Sequence, residues 1–262
     1  LSTDDDGLKP LPDWHEPLHD PGGPGALYFP FDCGRLDNEV MRDTPLKLAE
    51  LLGPVGVPIS GYGRNVLSII RYYAQHRVPT VFYSSFGAGY MRYFTRRQAW
   101  DVNAHGRSLN SLPAARTNWD AKHTIALAHP AVRQAGRDKV DALVRAGFGA
   151  WMVVDYTFPW WETAWGYSQA MIEAYRRDLA GRDEGLHMRD GQEESVAHFP
   201  DYFRAYMGFY PQPEDLGVKT WAEFEPPRPG EEDETARRRW TVFLYLRSYE
   251  WLKLPDDVGR HY

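Results

Sequence analysis

The sequence of 262 residues contains one cysteine, Cys33. A single thiol excludes an internal disulfide framework, a CxxC zinc site and a cysteine-ligated iron–sulfur cluster, because each of these needs more than one cysteine. Long apolar runs are also missing: none approaches the roughly 20 residues that cross a bilayer, and no charged-then-apolar leader is visible. We therefore expect no membrane partner, and the sequence leaves the compartment open between cytoplasmic and secreted.

The sequence has no excess of basic residues, since 30 Lys and Arg stand against 36 Asp and Glu for a net charge of −6. A nucleic-acid-binding protein needs a basic face that neutralises phosphates, so we expect no nucleic acid partner. The densest charge run, residues 231–239, passes from acidic to basic residues at helical i,i+4 spacing. This run predicts a solvated helix start rather than a binding patch.

Motifs for nucleotide binding, metal binding and α/β-hydrolase chemistry are missing as well. No GxxxxGK[ST], GxGxxG or GxSxG pattern occurs. The run from His15 to His19 has the letters of the HExxH zinc motif, but Pro17 lies between the histidines and opposes the continuous helix that the motif needs. We therefore expect no cofactor and no metal ligand.

The composition is that of a folded protein, with 43% hydrophobic and 25% charged residues, and it is rich in aromatic residues at 15%. Residues 1–25 are dense in proline and glycine and predict an irregular segment. Beyond them, apolar runs alternate with helical patterns. The runs predict strands at 26–31, 57–59, 80–83 and 151–154, and helices at 46–52, 66–76, 130–146, 168–179, 199–207 and 238–252.

Strands that alternate with helices predict βαβ units and a parallel sheet. We interpret residues 26–262 as one α/β domain, the N-terminal part of a (β/α)8 TIM-type barrel, with a small open α/β sheet as the alternative. Four strands are half of a barrel, and the sequence stops at Tyr262 just after a helix. We therefore expect a missing C-terminal half or a partner chain that completes the barrel and covers its apolar surface.

Ligands of barrels and open parallel sheets bind at the carboxyl ends of the strands. Polar residues follow each predicted strand at that end. The candidates that would shape a pocket there are Asp32 and Arg35 after the first strand, Arg64 after the second, Tyr83 at the third and Asp155 after the fourth.

The segment after the fourth predicted strand, residues 155–168, is rich in tryptophan and also contains Glu162. Indole rings stack on the flat C–H faces of sugars while carboxylates bind the hydroxyls, so this composition indicates a carbohydrate site with Trp160, Trp161 and Trp165 as platforms. The alternative is that these indoles pack in the interior, and the sequence leaves both interpretations open.

Residues 129–155, together with the Trp-Gly-Tyr-Ser run at 165–168 and the Tyr-Arg-Arg-Asp-Leu run at 175–179, resemble β-galactosidase-type glycoside hydrolases. The resemblance implies a (β/α)8 barrel that hydrolyses a glycosidic bond with two carboxylates. In that family a Glu, often after Asn, follows strand four as the acid/base. Here Asp155 and Glu162 are the carboxylates that could take this role. The alternative is a degenerate domain that binds a glycan or a partner chain without cleaving it.

Overall fold

The computed structural model describes residues 27–28, 36, 38–52, 55–60, 66–84, 99–107, 126–147, 150–153, 165–190 and 193–260. The chain divides into two compact units, where the sequence predicts one domain over residues 26–262. We call Leu1–Arg92 with Asp138–Phe158 the sheet unit, and Tyr93–Arg137 with Pro159–Tyr262 the helical unit.

The sheet unit contains four parallel strands in the order β1-β2-β3-β4. They are β1 (Leu27–Tyr28), β2 (Val55–Ser60), β3 (Thr80–Ser84) and β4 (Ala150–Val153), and each overlaps a strand predicted from the sequence. Neighbouring strands that follow one another along the chain are the arrangement of a barrel, whereas a doubly wound sheet reverses its order at a switch point. The barrel itself stays a prediction.

Two complete helices, α1 (Glu39–Leu52) and α2 (Val66–Gln75), belong to the sheet unit. Helix α1 begins well before residue 46, the predicted start, because the Asn38 side chain accepts a hydrogen bond from the Met41 amide and caps an earlier turn. Helix α2 buries Ile69, Ile70 and Tyr73 completely or nearly so, as its apolar spacing predicts. These side chains form the core of the unit.

Helix α3 (Pro130–Arg145) contains the point in the chain where the two units divide. Its predicted apolar positions Val132, Val140 and Leu143 are buried. The apolar spacing of the sequence also predicts Val144 on this buried face, and that prediction is wrong, since the side chain is 42% exposed. Adjacent residues of a helix point about 100° apart, so the inward position of Leu143 turns Val144 away.

The helical unit contains α4 (Gln169–Leu179), α5 (Phe199–Met207) and α6 (Glu234–Arg260). An antiparallel hairpin of β5 (Leu186–Asp190) and β6 (Glu193–Ala197) precedes α5, and short 3-10 helices span Pro213–Leu216 and Trp221–Glu223. The predicted helices at 168–179 and 199–207 are confirmed, whereas the sequence analysis missed the hairpin. None of the described helices is both long and apolar enough to cross a membrane.

Helix α6 is longer at both ends than the predicted range 238–252. It begins at Glu234 because the Asp233 carboxylate accepts the Ala236 amide at 2.7 Å, a helix cap. Arg238 pairs with Glu234 at 2.9 Å, which confirms that this charge run is a solvated helix start. The apolar positions of this helix in the sequence predict Phe243 and Leu244 as core residues; Phe243 is completely buried, but the prediction for Leu244 is wrong, since it is 41% exposed.

Aromatic rings fill the core of the helical unit. Phe199 lies 5.3 Å from Tyr249 between ring centroids, and Tyr175 lies 5.7 Å from Phe243, both in edge-to-face contact. Tyr175, Phe199, Phe243 and Tyr249 are all completely buried. In this unit the high aromatic content of the sequence therefore builds the interior.

Candidate functional site

The carboxyl ends of three strands lie level along one edge of the sheet. Ser60 at the end of β2 pairs with Tyr83, and Tyr83 pairs with Met152 of β4. Because these strands are parallel, the segments that follow them all leave from this edge. Tyr83, one of the predicted site residues, lies at the edge itself.

The other predicted site residues of the sheet unit follow these strands in the sequence, with Arg64 four residues after Ser60 and Asp155 two residues after Val153. They lie outside the described residues, and so do Cys33 and the run from His15 to His19. The predicted site residues outside the described ranges are Asp32, Arg35, Arg64, Asp155, Trp160, Trp161 and Glu162. Their roles stay predictions.

Trp165 is the predicted sugar platform that the structure describes, and it is a packing residue. Its side chain is 1% exposed, and its backbone pairs with Asn103 in an antiparallel bridge. A ring without an open face cannot stack on a sugar, so the prediction for Trp165 is wrong and the packing alternative applies to it. The adjacent Gly166 has φ +107°, and a Cβ there would lie 2.5 Å from the Tyr175 hydroxyl, which explains why the chain needs glycine beside this packed indole.

Asp101 is a buried carboxylate that holds the start of α4. It accepts the Ser168 amide at 3.1 Å and the Val102 amide at 2.9 Å, and Ser168 is the cap residue of the helix. The helix dipole and these two donors favour a carboxylate at this position. Burial acts in the opposite direction and is the largest effect, so the pKa of Asp101 is raised to about 6.

A second group of buried charges joins α4 to α6. The Lys253 amine donates to Asp178 at 2.6 Å and also contacts Glu250, while Arg133 of α3 binds Glu250 at 3.1 Å. The Asp178 and Glu250 residues are completely buried, and Lys253 is 7% exposed. We call these four residues the buried charge cluster.

The two carboxyl groups of the buried charge cluster have pKa values that are shifted in opposite directions. Burial, together with the nearby Glu250 carboxylate, raises the pKa of Asp178 well above its ordinary value. Burial opposes the charge on Glu250 too, but Lys253, a hydrogen bond with Asp178 and the charge of Arg133 lower its pKa overall. Of these two carboxyls that share one site, Asp178 is thus the one that holds its proton more readily.

Asp183 organises a third polar contact, between the hairpin region and α6. Its carboxylate accepts hydrogen bonds from the Tyr249 hydroxyl and from the Gly185 amide, the latter at 3.0 Å. Its other oxygen lies 3.1 Å from Nδ1 of His198, whose side chain is 40% exposed. The Asp183 side chain itself is only 2% exposed, so its partners compensate for the loss of water.

Neither the buried charge cluster nor Asp101 is open to a substrate. A catalytic group must reach the reacting atom directly or through one water, which these buried carboxyls cannot do. The described geometry therefore gives these residues a structural role. Within the described ranges, no three His, Cys, Asp or Glu side chains are grouped so that they could hold a metal ion.

Comparison with known proteins adds no relative, since no family model, no curated protein and no solved structure matches the chain.

Asp101, Asp178, Glu250 and Lys253 were not predicted from the sequence as buried polar residues. A signal for three of them was present, because Asp178 falls three residues after Tyr175 on the core face of α4 and Glu250 falls four residues after Leu246 on that of α6. Charges of opposite sign on the apolar faces of two helices indicate a buried ion pair. Asp101 carries no such signal, since it lies in a long polar stretch.

Proposed function

We propose that this chain is a carbohydrate-active domain of the glycoside hydrolase type, in which Asp155 and Glu162 supply the carboxylate chemistry. The observation that carries the proposal is the level carboxyl edge of the sequentially ordered parallel sheet, where β3 and β4 end. The acidic and tryptophan-rich segment follows β4 directly in the sequence. Parallel α/β folds bind their ligands at this edge, so the composition and the topology support the same location.

The proposed chemistry needs a carboxylic acid that protonates the leaving oxygen and a second carboxylate that acts as nucleophile or activates water. Asp155 is the first acidic residue after β4 and is proposed as the proton donor. Glu162 is the next acidic residue along the chain and is the alternative candidate for the proton donor. With Trp165 buried, Trp160 and Trp161 are the remaining proposed platforms for the sugar ring.

The proposal is tested with a panel of aryl glycosides whose leaving groups differ in acidity, using wild type and Asp155→Asn. Loss of a general acid slows the cleavage of a poor leaving group such as phenol by about 10²–10⁴-fold. A 2,4-dinitrophenyl leaving group departs without protonation, so its cleavage should slow far less. Glu184→Gln, at an exposed carboxylate of the helical unit, is the matched control and should leave both rates unchanged.

Equal rates for wild type and Asp155→Asn on every substrate would remove Asp155 from catalysis. A uniform loss on poor and good leaving groups would remove its role as proton donor. Glu162→Gln tests the alternative donor in the same panel, since loss of the proton donor slows poor leaving groups selectively and only one of the two variants should show that pattern.

A second candidate function is glycan binding without cleavage. It is favoured by the sequence after β4, which reads Asp155-Tyr156-Thr157-Phe158 where the resembled enzymes carry a Glu that often follows Asn. This function predicts no turnover of any aryl glycoside by wild type, together with binding of unactivated sugars in solution. The glycoside panel thus separates the two candidates.

A further inference from the structure

The helical unit has an open cleft of about 370 Å³ beside the start of α4. Three segments line it: the turn around Asn103, His105 and Gly106, the start of α4 with Tyr167 and Ile172, and the loop that carries Glu225 and Arg228. Its volume lies at the lower end of the roughly 300–1,000 Å³ that is usual for small-molecule sites. A cleft of this size accommodates one sugar-sized ring.

The walls of the cleft are held in place by hydrogen bonds. Oδ1 of Asn103 accepts the amides of His105 at 3.0 Å and Arg107 at 2.9 Å, which fixes the turn. The Tyr167 amide donates to the Val102 carbonyl at 3.1 Å, and its hydroxyl donates to the Pro227 carbonyl. All three segments are thereby tied together, so a ligand would meet a preorganised site and lose little affinity to ordering.

The polar groups of the cleft suit hydroxyls. Glu225 accepts a hydrogen bond from Arg228 at 3.3 Å and lies 3.8 Å from Arg176, so a carboxylate and guanidinium groups stand side by side and partly offset one another's charge. The bonds that Asn103 accepts occupy its carbonyl oxygen and leave its amide nitrogen to donate; this residue is 9% exposed. Donors and acceptors that are mixed and nearly balanced in charge favour a neutral ligand over an anion or a cation.

The remaining lining is apolar. Ile172, Pro226 and the ring of Tyr167 present carbon surface to the cleft. We propose that this cleft is a binding site for a neutral, hydroxyl-rich ring, the chemistry of a pyranose. The inference rests on the cleft alone and does not depend on hydrolysis at Asp155.

The test uses the full chain with methyl β-D-galactopyranoside and methyl α-D-glucopyranoside as probes. Amide shifts in ¹⁵N-resolved spectra report where each probe binds, and the expected result is shifts at His105, Gly106 and Tyr167 with Kd on the order of 1–10 mM. Sorbitol is the acyclic control and glucuronate the anionic one, and both should bind more weakly. The same titration on Asp155→Asn keeps the probes intact if the chain cleaves them.

Arg228→Gln and Glu225→Gln should each raise Kd at least about threefold, since each removes a charged hydrogen-bonding partner. Arg238→Gln and Glu214→Gln are matched controls at exposed positions of the same unit, and they should leave Kd unchanged. Thermal unfolding of all four variants checks that the fold is retained.

Three results would overturn the inference: no shifts at His105, Gly106 and Tyr167 with any pyranoside up to about 50 mM, tighter binding of glucuronate than of the neutral sugars, or equal Kd values in the cleft variants and their controls. Turnover of aryl glycosides without shifts in the cleft would reject this site and leave the proposed function standing. Shifts in the cleft without turnover would support this site and reject hydrolysis as the function of the chain.

Discussion

The two units differ in what they bury. Among the described residues of the sheet unit, the buried polar side chains are Ser68 and Thr80, and no Asp, Glu, Lys or Arg is buried. The helical unit buries Asp101, Asp178, Glu250 and Lys253. One interior is stabilised by the removal of apolar surface from water, whereas the other also contains charges whose burial must be compensated.

The compensation in the helical unit comes from partners that are far away in the sequence. Lys253 of α6 reaches Asp178 of α4, and Arg133 of α3 reaches Glu250. The contact between Lys253 and Glu250 lies within α6, but Asp178 reaches Lys253 and Glu250 reaches Arg133 only when these helices pack in the observed arrangement. We infer that the buried charge cluster selects one packing of the three helices, which the apolar contacts alone would fix less tightly.

The sharpest way to test this difference is Lys253→Met, which removes the amine and leaves Asp178 and Glu250 without it. Loss of one partner of a buried ion pair typically destabilises a protein by about 3–5 kcal/mol, because the remaining charge stays desolvated. We expect the free energy of unfolding, measured in urea, to fall by about that amount. Lys219→Met, at an exposed lysine of the same unit, should change it by less than about 0.5 kcal/mol.

The triple variant Asp178→Asn, Glu250→Gln, Lys253→Met removes together the ionisable groups of the buried charge cluster other than Arg133. If the penalty of Lys253→Met comes from uncompensated charge, the triple variant should recover part of the lost free energy of unfolding. Our account of the cluster would be contradicted if Lys253→Met had the same free energy of unfolding as wild type. It would also be contradicted if the triple variant lost more free energy of unfolding than the three single variants together.

The apolar part of the fold followed from the sequence. The spacing of Ile69, Ile70 and Tyr73 predicted the buried face of α2, and all three are buried. Such patterns succeed because the cost of exposing a large apolar side chain depends little on which residues cover it. The predicted strands and most helices were located for the same reason.

Three features of the fold were not predicted from the sequence, each for a different physical reason. In the hairpin, β5 alternates apolar and polar residues only over residues 186–189, and β6 begins with charged and polar residues, so the strand signal is short and weak. Helix α6 continues through Pro255, where a proline usually ends a helix. The burial of Asp178 depends on a lysine 75 residues later in the chain, which no local pattern contains.

Of the predicted site residues, the structure describes Tyr83 and Trp165. Tyr83 lies at the carboxyl edge of the sheet, as expected from the end of its strand. Trp165 shows the limit of composition as a guide, because an aromatic-rich segment is equally suited to a binding platform and to a core. For Trp165, the backbone bridge to Asn103 favours the core over the binding platform. This bridge joins positions 62 residues apart, so no local pattern contains it.

A smaller change in the free energy of unfolding is expected at Asp101, and it depends on pH. Its pKa is raised from 3.8 to about 6, so the folded state holds a proton that the unfolded state has released across this interval. The contribution of Asp101 to stability is therefore full below about pH 4 and is lost as the pH rises through 6. At about 1.4 kcal/mol for each pKa unit, the loss is about 1–3 kcal/mol by pH 7.

Asp101→Asn isolates this contribution, because an amide oxygen can still accept the Ser168 and Val102 amides without a charge. The free energy of unfolding of wild type minus that of the variant should fall between pH 4 and pH 7. Asp201→Asn, at an exposed aspartate, should show a nearly flat difference. A difference for Asp101→Asn that rises with pH would mean that the buried carboxyl is stabilised in its ionised form.

The smallest change in the free energy of unfolding is expected in the sheet unit, at Thr80 of β3. Its side chain is completely buried, and its hydroxyl has no hydrogen-bond partner among the described residues. Thr80→Val replaces this hydroxyl with a methyl group of similar size, so we expect the free energy of unfolding to rise by about 0.5–1 kcal/mol. Thr44→Val, at an exposed threonine of the same unit, is the control and should change it by less than about 0.5 kcal/mol. Destabilisation by Thr80→Val would show that the hydroxyl is bonded after all, and the sheet unit would then share the dependence of the helical unit on buried polar contacts.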